Sequence, residues 1–199
     1  LGDVYKRQTL RYHDGTFYVI TTAIYFDAKT KKHSGNNFII TATNPAGPWS
    51  DPVVVQGAPG IDPDLFFDED GRLWYTGQQK PKDPEFIDQK EIWMQELNRE
   101  TFQLMGARYH LWRGACDGVW TEGPHIYKND GRYYLMIAEG GTSFNHAVMV
   151  AASDKLTGPY VSNARNPIFT SRQLSYENWV HSTGHGLSLI HISEPTRPL

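Results

Sequence analysis

Two carboxylates stand at one position of a repeated sequence. Asp62, in Gly60-Ile61-Asp62-Pro63-Asp64-Leu65, precedes Gly71 by nine residues, and Glu122, in Thr121-Glu122-Gly123-Pro124-His125, precedes Gly131 by nine. Carboxylates gathered in one pocket beneath aromatic walls suit cleavage of a glycosidic bond. One acid protonates the leaving oxygen while another carboxylate activates water or attacks the sugar. Such an acid must keep its proton near neutral pH, and a neighbouring carboxylate raises its pKa without touching substrate. Each residue also has a plainer reading: Asp62 as a cap on the turn at Pro63, Glu122 as an ion pair between neighbouring units.

What must position them is the repeat itself. Tyr12-His13-Asp14-Gly15-Thr16-Phe17-Tyr18, Phe67-Asp68-Glu69-Asp70-Gly71-Arg72-Leu73-Trp74 and Tyr127-Lys128-Asn129-Asp130-Gly131-Arg132-Tyr133 each place Asp-Gly between aromatic and aliphatic runs. This is a strong hairpin signal, because a tight turn needs positive φ and Gly supplies it. Hairpins are expected over residues 10–23, 65–77 and 125–138, with third strands over 37–43, 90–97 and 146–152 and fourth strands over 52–55, 109–112 and 166–169. Gly15, Gly71 and Gly131 are 56 and 60 residues apart, and Gly-Pro-aromatic recurs at 47–49 and 158–160. Four short strands per unit, with no helix between, is the pattern of β-propeller blades. A sandwich also has short strands and frequent turns but predicts no fixed period. Blades are expected at about 9–61, 62–121 and 122–182. Equivalent blade positions converge at the channel mouth, so Asp62 and Glu122 should face one pocket.

The charge balance of −3, without any Lys/Arg-rich stretch, lacks the footprint of a nucleic-acid or anionic-membrane partner. No apolar run approaches membrane-spanning length. Cys116 is the single cysteine, so no intrachain disulfide can form. Residues 1–8 and 187–199 do not continue the period and resemble translated adapter sequence, so the native protein is expected to run from 9 to 186. Residues 78–89, with charges of both signs and two prolines, read as a solvated insertion.

Ile61-Asp62-Pro63-Asp64-Leu65-Phe66-Phe67-Asp68, Glu122-Gly123-Pro124-His125-Ile126-Tyr127, Ile137-Ala138-Glu139-Gly140-Gly141-Thr142 and Ser182-Thr183-Gly184-His185-Gly186 occur in an order that resembles glycoside hydrolase family 43. The resemblance is to its five-bladed propeller β-xylosidases and α-L-arabinofuranosidases. It implies an inverting glycosidase acting on oligosaccharides or polysaccharides containing xylose or arabinose. By position it makes Glu122 the general acid and Asp62 the carboxylate that tunes and orients that acid. His185 matches a channel histidine that sits beside a water or a calcium ion, while no cofactor is required. Asp64 stands where relatives often have Ser, so no role carries over to it. The general base lies in a blade whose motif is absent here, and Lys6, Arg7 and Gln8 replace Trp-Ala-Pro. The resemblance therefore implies three of five blades and a polypeptide that is inactive as it stands. Sugar contacts are expected from His185, Trp120, Phe66 (or its neighbour Phe67) and Thr142, with Ser143 and His146 as further candidates for the pocket edge; for Trp120 and the two phenylalanines, which alternation sends to opposite faces, packing in the core is the stronger reading. A non-catalytic carbohydrate-binding propeller is the alternative, against which the retention of both Asp62 and Glu122 argues.

Overall fold

At the first and third hairpins both central residues have positive φ, 46° and 79° at Asp14-Gly15 and 48° and 75° at Asp130-Gly131. These are the two-residue turns whose twist matches that of the flanking strands. The second hairpin is one residue longer. Gly71 N–H donates to Asp68 O (3.0 Å), Asp68 N–H donates to Arg72 O (3.0 Å), and only Gly71 of the loop is left-handed. The extra Glu69 thus converts the tight turn into a three-residue loop with a bulge.

The computed structural model describes residues 4–27, 31–115 and 119–186, so Cys116 and the 187–199 segment lie outside the described residues. Strands β1 (Val4–His13), β2 (Thr16–Asp27), β3 (Lys32–Ala42) and β4 (Val53–Val54) form the first sheet. The second contains β5 (Asp64–Phe67), β6 (Leu73–Gln79), β7 (Glu91–Leu97) and β8 (Leu104–Trp112). The third contains β9 (Glu122–Asn129), β10 (Arg132–Glu139), β11 (Ala147–Ser153) and β12 (Val161–Ser162), with β13 (Phe169–Thr170) also paired to β11. All pairings are antiparallel and, apart from that of β13 with β11, join consecutive strands, and no helix occurs among the described residues. β1 begins inside the 1–8 segment read as foreign, pairing residues 4–6 with 22–24 before a bulge resumes the ladder at Thr9.

The fourth strand of the third sheet differs from the expectation at 166–169. It is split: β12 faces Ala151 and Ala152, β13 faces Ala147 and Val148. Between them the Asn166 side chain takes the place of a strand residue, accepting from Val150 N (2.9 Å) and donating to Val150 O (2.8 Å). Pro167 follows and has no N–H to offer a ladder.

The central sheet is buried on both faces, and the alternation of side chains sorts them. Leu73, Tyr75, Trp93 and Leu97 pack towards the first sheet with Ile20, Ile39 and Val55. Trp74, Ile92 and Met94 pack the other way with Ile126, Leu135, Ile137 and Met149 of the third. Each such fully buried side chain contributes about 1.5–3 kcal/mol. The first strands β1, β5 and β9 lie in succession, each against the next, which is how propeller blades stack around an axis.

Candidate active site

Asp62 and Glu122 stand at the heads of the first strands of the second and third sheets. Asp62 lies two residues before β5 in a left-handed conformation (φ 55°), and its residue is only 4% exposed. The adjoining Pro63 carbonyl accepts from Thr9 Oγ1 of β1 (3.2 Å), which fastens the Asp62 turn to the first sheet. The Asp62 charge acts on Tyr75, whose hydroxyl is pushed far above its ordinary pKa chiefly by burial, with Arg108 opposing.

Glu122 is the first residue of β9 and is half-buried. It forms a compact group with His146 and His185, whose ligand atoms and the carboxylate oxygen all lie within 4.8 Å of one another. Asp62 is not a member of this group. Both rings rest on bare backbone. A Cβ at Gly123 would come within 2.6 Å of the His185 ring, and one at Gly184 within 2.5 Å of the His146 ring, so any larger residue would displace an imidazole. His146 Nδ1 faces the Ser182 carbonyl at 3.1 Å. A carbonyl can only accept, so Nδ1 carries the proton and Nε2 the lone pair of the neutral ring.

A third carboxylate, Asp64, sits beside this site and joins all three sheets. Its Oδ1 accepts from Arg11 Nε of β1 (2.9 Å) and from Leu65 N (2.6 Å). Its Oδ2 accepts from Arg11 Nη2 and lies 2.9 Å from His125 Nδ1 of β9. Asp64 is completely buried. Desolvation, the largest single influence, pushes its pKa up, but the charges and hydrogen bonds of Arg11 and His125 together outweigh it and hold the carboxyl below its ordinary value. Glu139, within the Ile137–Thr142 motif and buried, accepts from Ala115 N and so links the second and third blades.

Among the expected sugar contacts, Trp120 is 42% exposed and its indole lies across Gly141, where a Cβ would be 2.6 Å from the ring. Thr142 is exposed in the turn after β10. The two phenylalanines are placed differently. Phe66 meets the Tyr133 ring edge-on at 6.0 Å within the core between the second and third sheets. Phe67 stacks on His13 at 4.2 Å and meets the Tyr18 ring at a tilt at 4.9 Å, between the first and second. Alternation turned one to each side, and a neighbouring blade covers each, so neither supplies the stacking surface expected of it. His146 entered the sequence reading only as an edge residue, and Asp64, Arg11 and His125 carried no role there. A cavity of about 700 Å³ at the hairpin-turn end is lined by Asp68, Arg72, Tyr109, Lys128 and Asp154 and contains none of the expected site residues.

The blades and their inner strands define a β-propeller. The profile of Glycosyl hydrolases family 43 matches residues 8–193. The chain is 48% identical over 181 residues to a Butyrivibrio fibrisolvens protein named xylosidase/arabinosidase, covering 89% of this chain and 34% of that one. It is 39% identical over 183 residues to a putative beta-xylosidase of Escherichia coli (strain K12), covering 89% and 32%. The solved structure of a xylan beta-1,4-xylosidase from Bacillus halodurans C-125 superimposes with a TM-score of 0.78 at 38% identity, over 90% of this chain and 34% of that one. This chain belongs to glycosyl hydrolase family 43. It spans about a third of the length of the curated relatives it matches.

Proposed function

We propose that the chain is part of an inverting glycoside hydrolase that removes xylose or arabinose from plant polysaccharide fragments. Glu122 is the general acid and Asp62 the carboxylate that raises and orients it. The observation that carries this reading is the placement of the two carboxylates at the heads of the first strands of successive blades, with Glu122 half-buried and its carboxylate within 4.8 Å of two imidazoles. Relatives named xylosidase/arabinosidase and beta-xylosidase support the substrate class. In the reaction the Glu122 proton passes to the leaving oxygen as the C1–O bond breaks, and water attacks C1 from the opposite face with a base taking its proton. No residue of this chain is assigned to that base. The complete ring has five blades, of which these are three. The exposure of Tyr12 and Phe26 on the first sheet and of Phe169 at the third accords with further blades flanking them.

The test uses azide in place of the missing base. With 4-nitrophenyl β-D-xyloside or α-L-arabinofuranoside, the 199-residue chain is expected to hydrolyse at background. Azide, attacking C1 as the aryloxide departs with the Glu122 proton, is expected to restore release and yield the inverted glycosyl azide. Glu122→Gln should lower that release by about 10²–10⁴-fold. Azide-independent hydrolysis would overturn the absence of a base. Azide-dependent release indifferent to Glu122→Gln, or no release at all, would overturn the acid assignment.

A further inference from the structure

The cavity at the hairpin-turn end takes no part in the function proposed above. Residues of two blades line it, among them Asp68, Arg72, Trp74 and Tyr109 of the second and Lys128 and Tyr133 of the third. Its volume of about 700 Å³ falls in the range of small-molecule sites. Lys128 follows Glu122 by six residues along β9, which at about 3.3 Å per residue sets the cavity roughly 20 Å from the acid.

We propose that this cavity binds a sugar ring of the polysaccharide, as an accessory position away from the bond being cleaved. The choice of a carbohydrate rests on the function proposed above; the existence of a small-molecule site here does not. The lining is polar without a dominant charge, with four carboxylates against three cationic side chains. Arg72 is paired with Asp70 and Lys128 with Asp68. Such a wall has little net attraction for a phosphate or a metal cation and suits a neutral ligand rich in hydroxyls. Its carboxylates keep lone pairs to accept from O–H, and its cations keep N–H groups to donate.

The lining is also set before any ligand arrives. Asp68 is buried, accepts from Tyr133 Oη (3.0 Å) and Lys128 Nζ (3.3 Å), and so joins the two blades at the cavity wall. A wall fixed in advance loses little side-chain freedom on binding.

Two aromatic side chains point to the ligand class. Trp74 is 3% exposed, and its indole N–H finds no acceptor among the described residues. A buried donor of this kind is costly to leave unpaired, and a ligand hydroxyl at the cavity wall would supply the acceptor. The Arg72 guanidinium lies 5.1 Å above the same indole and occupies its face. Tyr109 meets Trp74 at 63° with centroids 6.2 Å apart, an edge contact that leaves the phenol ring 37% exposed. A flat ring beside hydrogen-bonding side chains matches a pyranose, which has apolar C–H faces and a polar equator. A sugar held here tethers the polymer and raises the local concentration of its cleavable ends, without touching the reacting atoms.

The experiment runs the 199-residue chain in native gels containing arabinoxylan, with dextran gels as reference, and titrates it with xylotetraose by calorimetry. Retardation is expected in arabinoxylan only. Tyr109→Ala should weaken binding at least tenfold, and Trp74→Phe, which keeps a ring but removes the N–H, about fivefold, each with unchanged circular dichroism. Tyr25→Ala, an exposed aromatic on the first sheet, should leave it within twofold. In the unsubstituted chain labelled with ¹⁵N, the Trp74 indole resonance, assigned through Trp74→Phe, should shift on saturation with xylotetraose. No retardation beyond that in dextran, an unmoved Trp74 resonance, or binding lost in Glu122→Gln but kept in Tyr109→Ala would overturn the site. Azide-dependent release from the aryl glycosides should persist in Tyr109→Ala. Tyr109-dependent binding without any such release would leave the cavity site standing and remove the acid assignment, whereas release without binding would remove the site alone.

Discussion

Asp64 and Glu122 are carboxylates on neighbouring inner strands with opposite surroundings. Asp64 has every oxygen committed to donors, with Arg11, His125 and the Leu65 amide around it and no contact with solvent. Glu122 is half-buried, and its carboxylate lies beside the imidazoles of His146 and His185. A guanidinium stabilises the ionised form of Asp64, which suits a carboxylate that holds blades together. A group that must take up and release a proton requires the second kind of setting. On the proposed function the two sites divide labour: Asp64, held below its ordinary pKa, joins the blades, and Glu122 serves the reaction.

The sharpest way to break this contrast is Asp64→Ala. It strands Arg11 and His125 at a dry junction and should cost about 3–5 kcal/mol in urea unfolding, the usual penalty for removing one partner of a buried ion pair. Glu122→Gln should do the reverse, abolishing the acid-dependent step while moving stability by less than about 1 kcal/mol. Equal destabilisation by the two substitutions would erase the distinction.

Acid should separate them further. The folded pKa of Asp64 lies below the ordinary value of about 3.9, so its contribution to stability is complete above that value and declines as pH falls through the folded pKa. The difference in unfolding free energy between the chain and Asp64→Asn should hold steady from pH 7 to about 4 and shrink below it. A difference independent of pH down to 2.5 would show that Asp64 does not act as an ionised partner. The smallest effect belongs at the hairpin-turn end, beside the cavity lined by Asp68 and Lys128. Arg132 Nε meets Asp154 there at 2.9 Å, both side chains exposed. Arg132→Ala should change stability by about 0.5 kcal/mol or less and leave azide-dependent release unaltered.

The hairpins and the three sheets were legible because their signals are local: Asp-Gly turns, alternation and a period near 60 residues. The offset shared by Asp62 and Glu122 was legible for the same reason. Asp64 was not, because its partners lie 53 and 61 residues away and a lone aspartate gives no sign of which arginine it will meet. Alternation foretold that Phe66 and Phe67 part and favoured the core for both, but which blades cover them is set by residues elsewhere in the chain. The split fourth strand escaped because the Asn166 side chain does the work of backbone, which strand propensity does not register. The group around Glu122 draws on residues 122, 146 and 185, and only folding assembles it.

Arrays of repeated units commonly unfold piecemeal, since each unit contacts only its neighbours and the ends detach first. The Asp64 junction changes that topology of failure. Arg11, Asp64 and His125 come one from each sheet, so detaching the first or the third blade breaks a buried charge contact together with the apolar packing around it. The cost of that loss falls on the first step of disassembly, before any later step can recover chain entropy. The three blades are thus bound into one cooperative unit, whose hydrogen-exchange protection should collapse together at β1, β5 and β9 instead of fraying inward from either side.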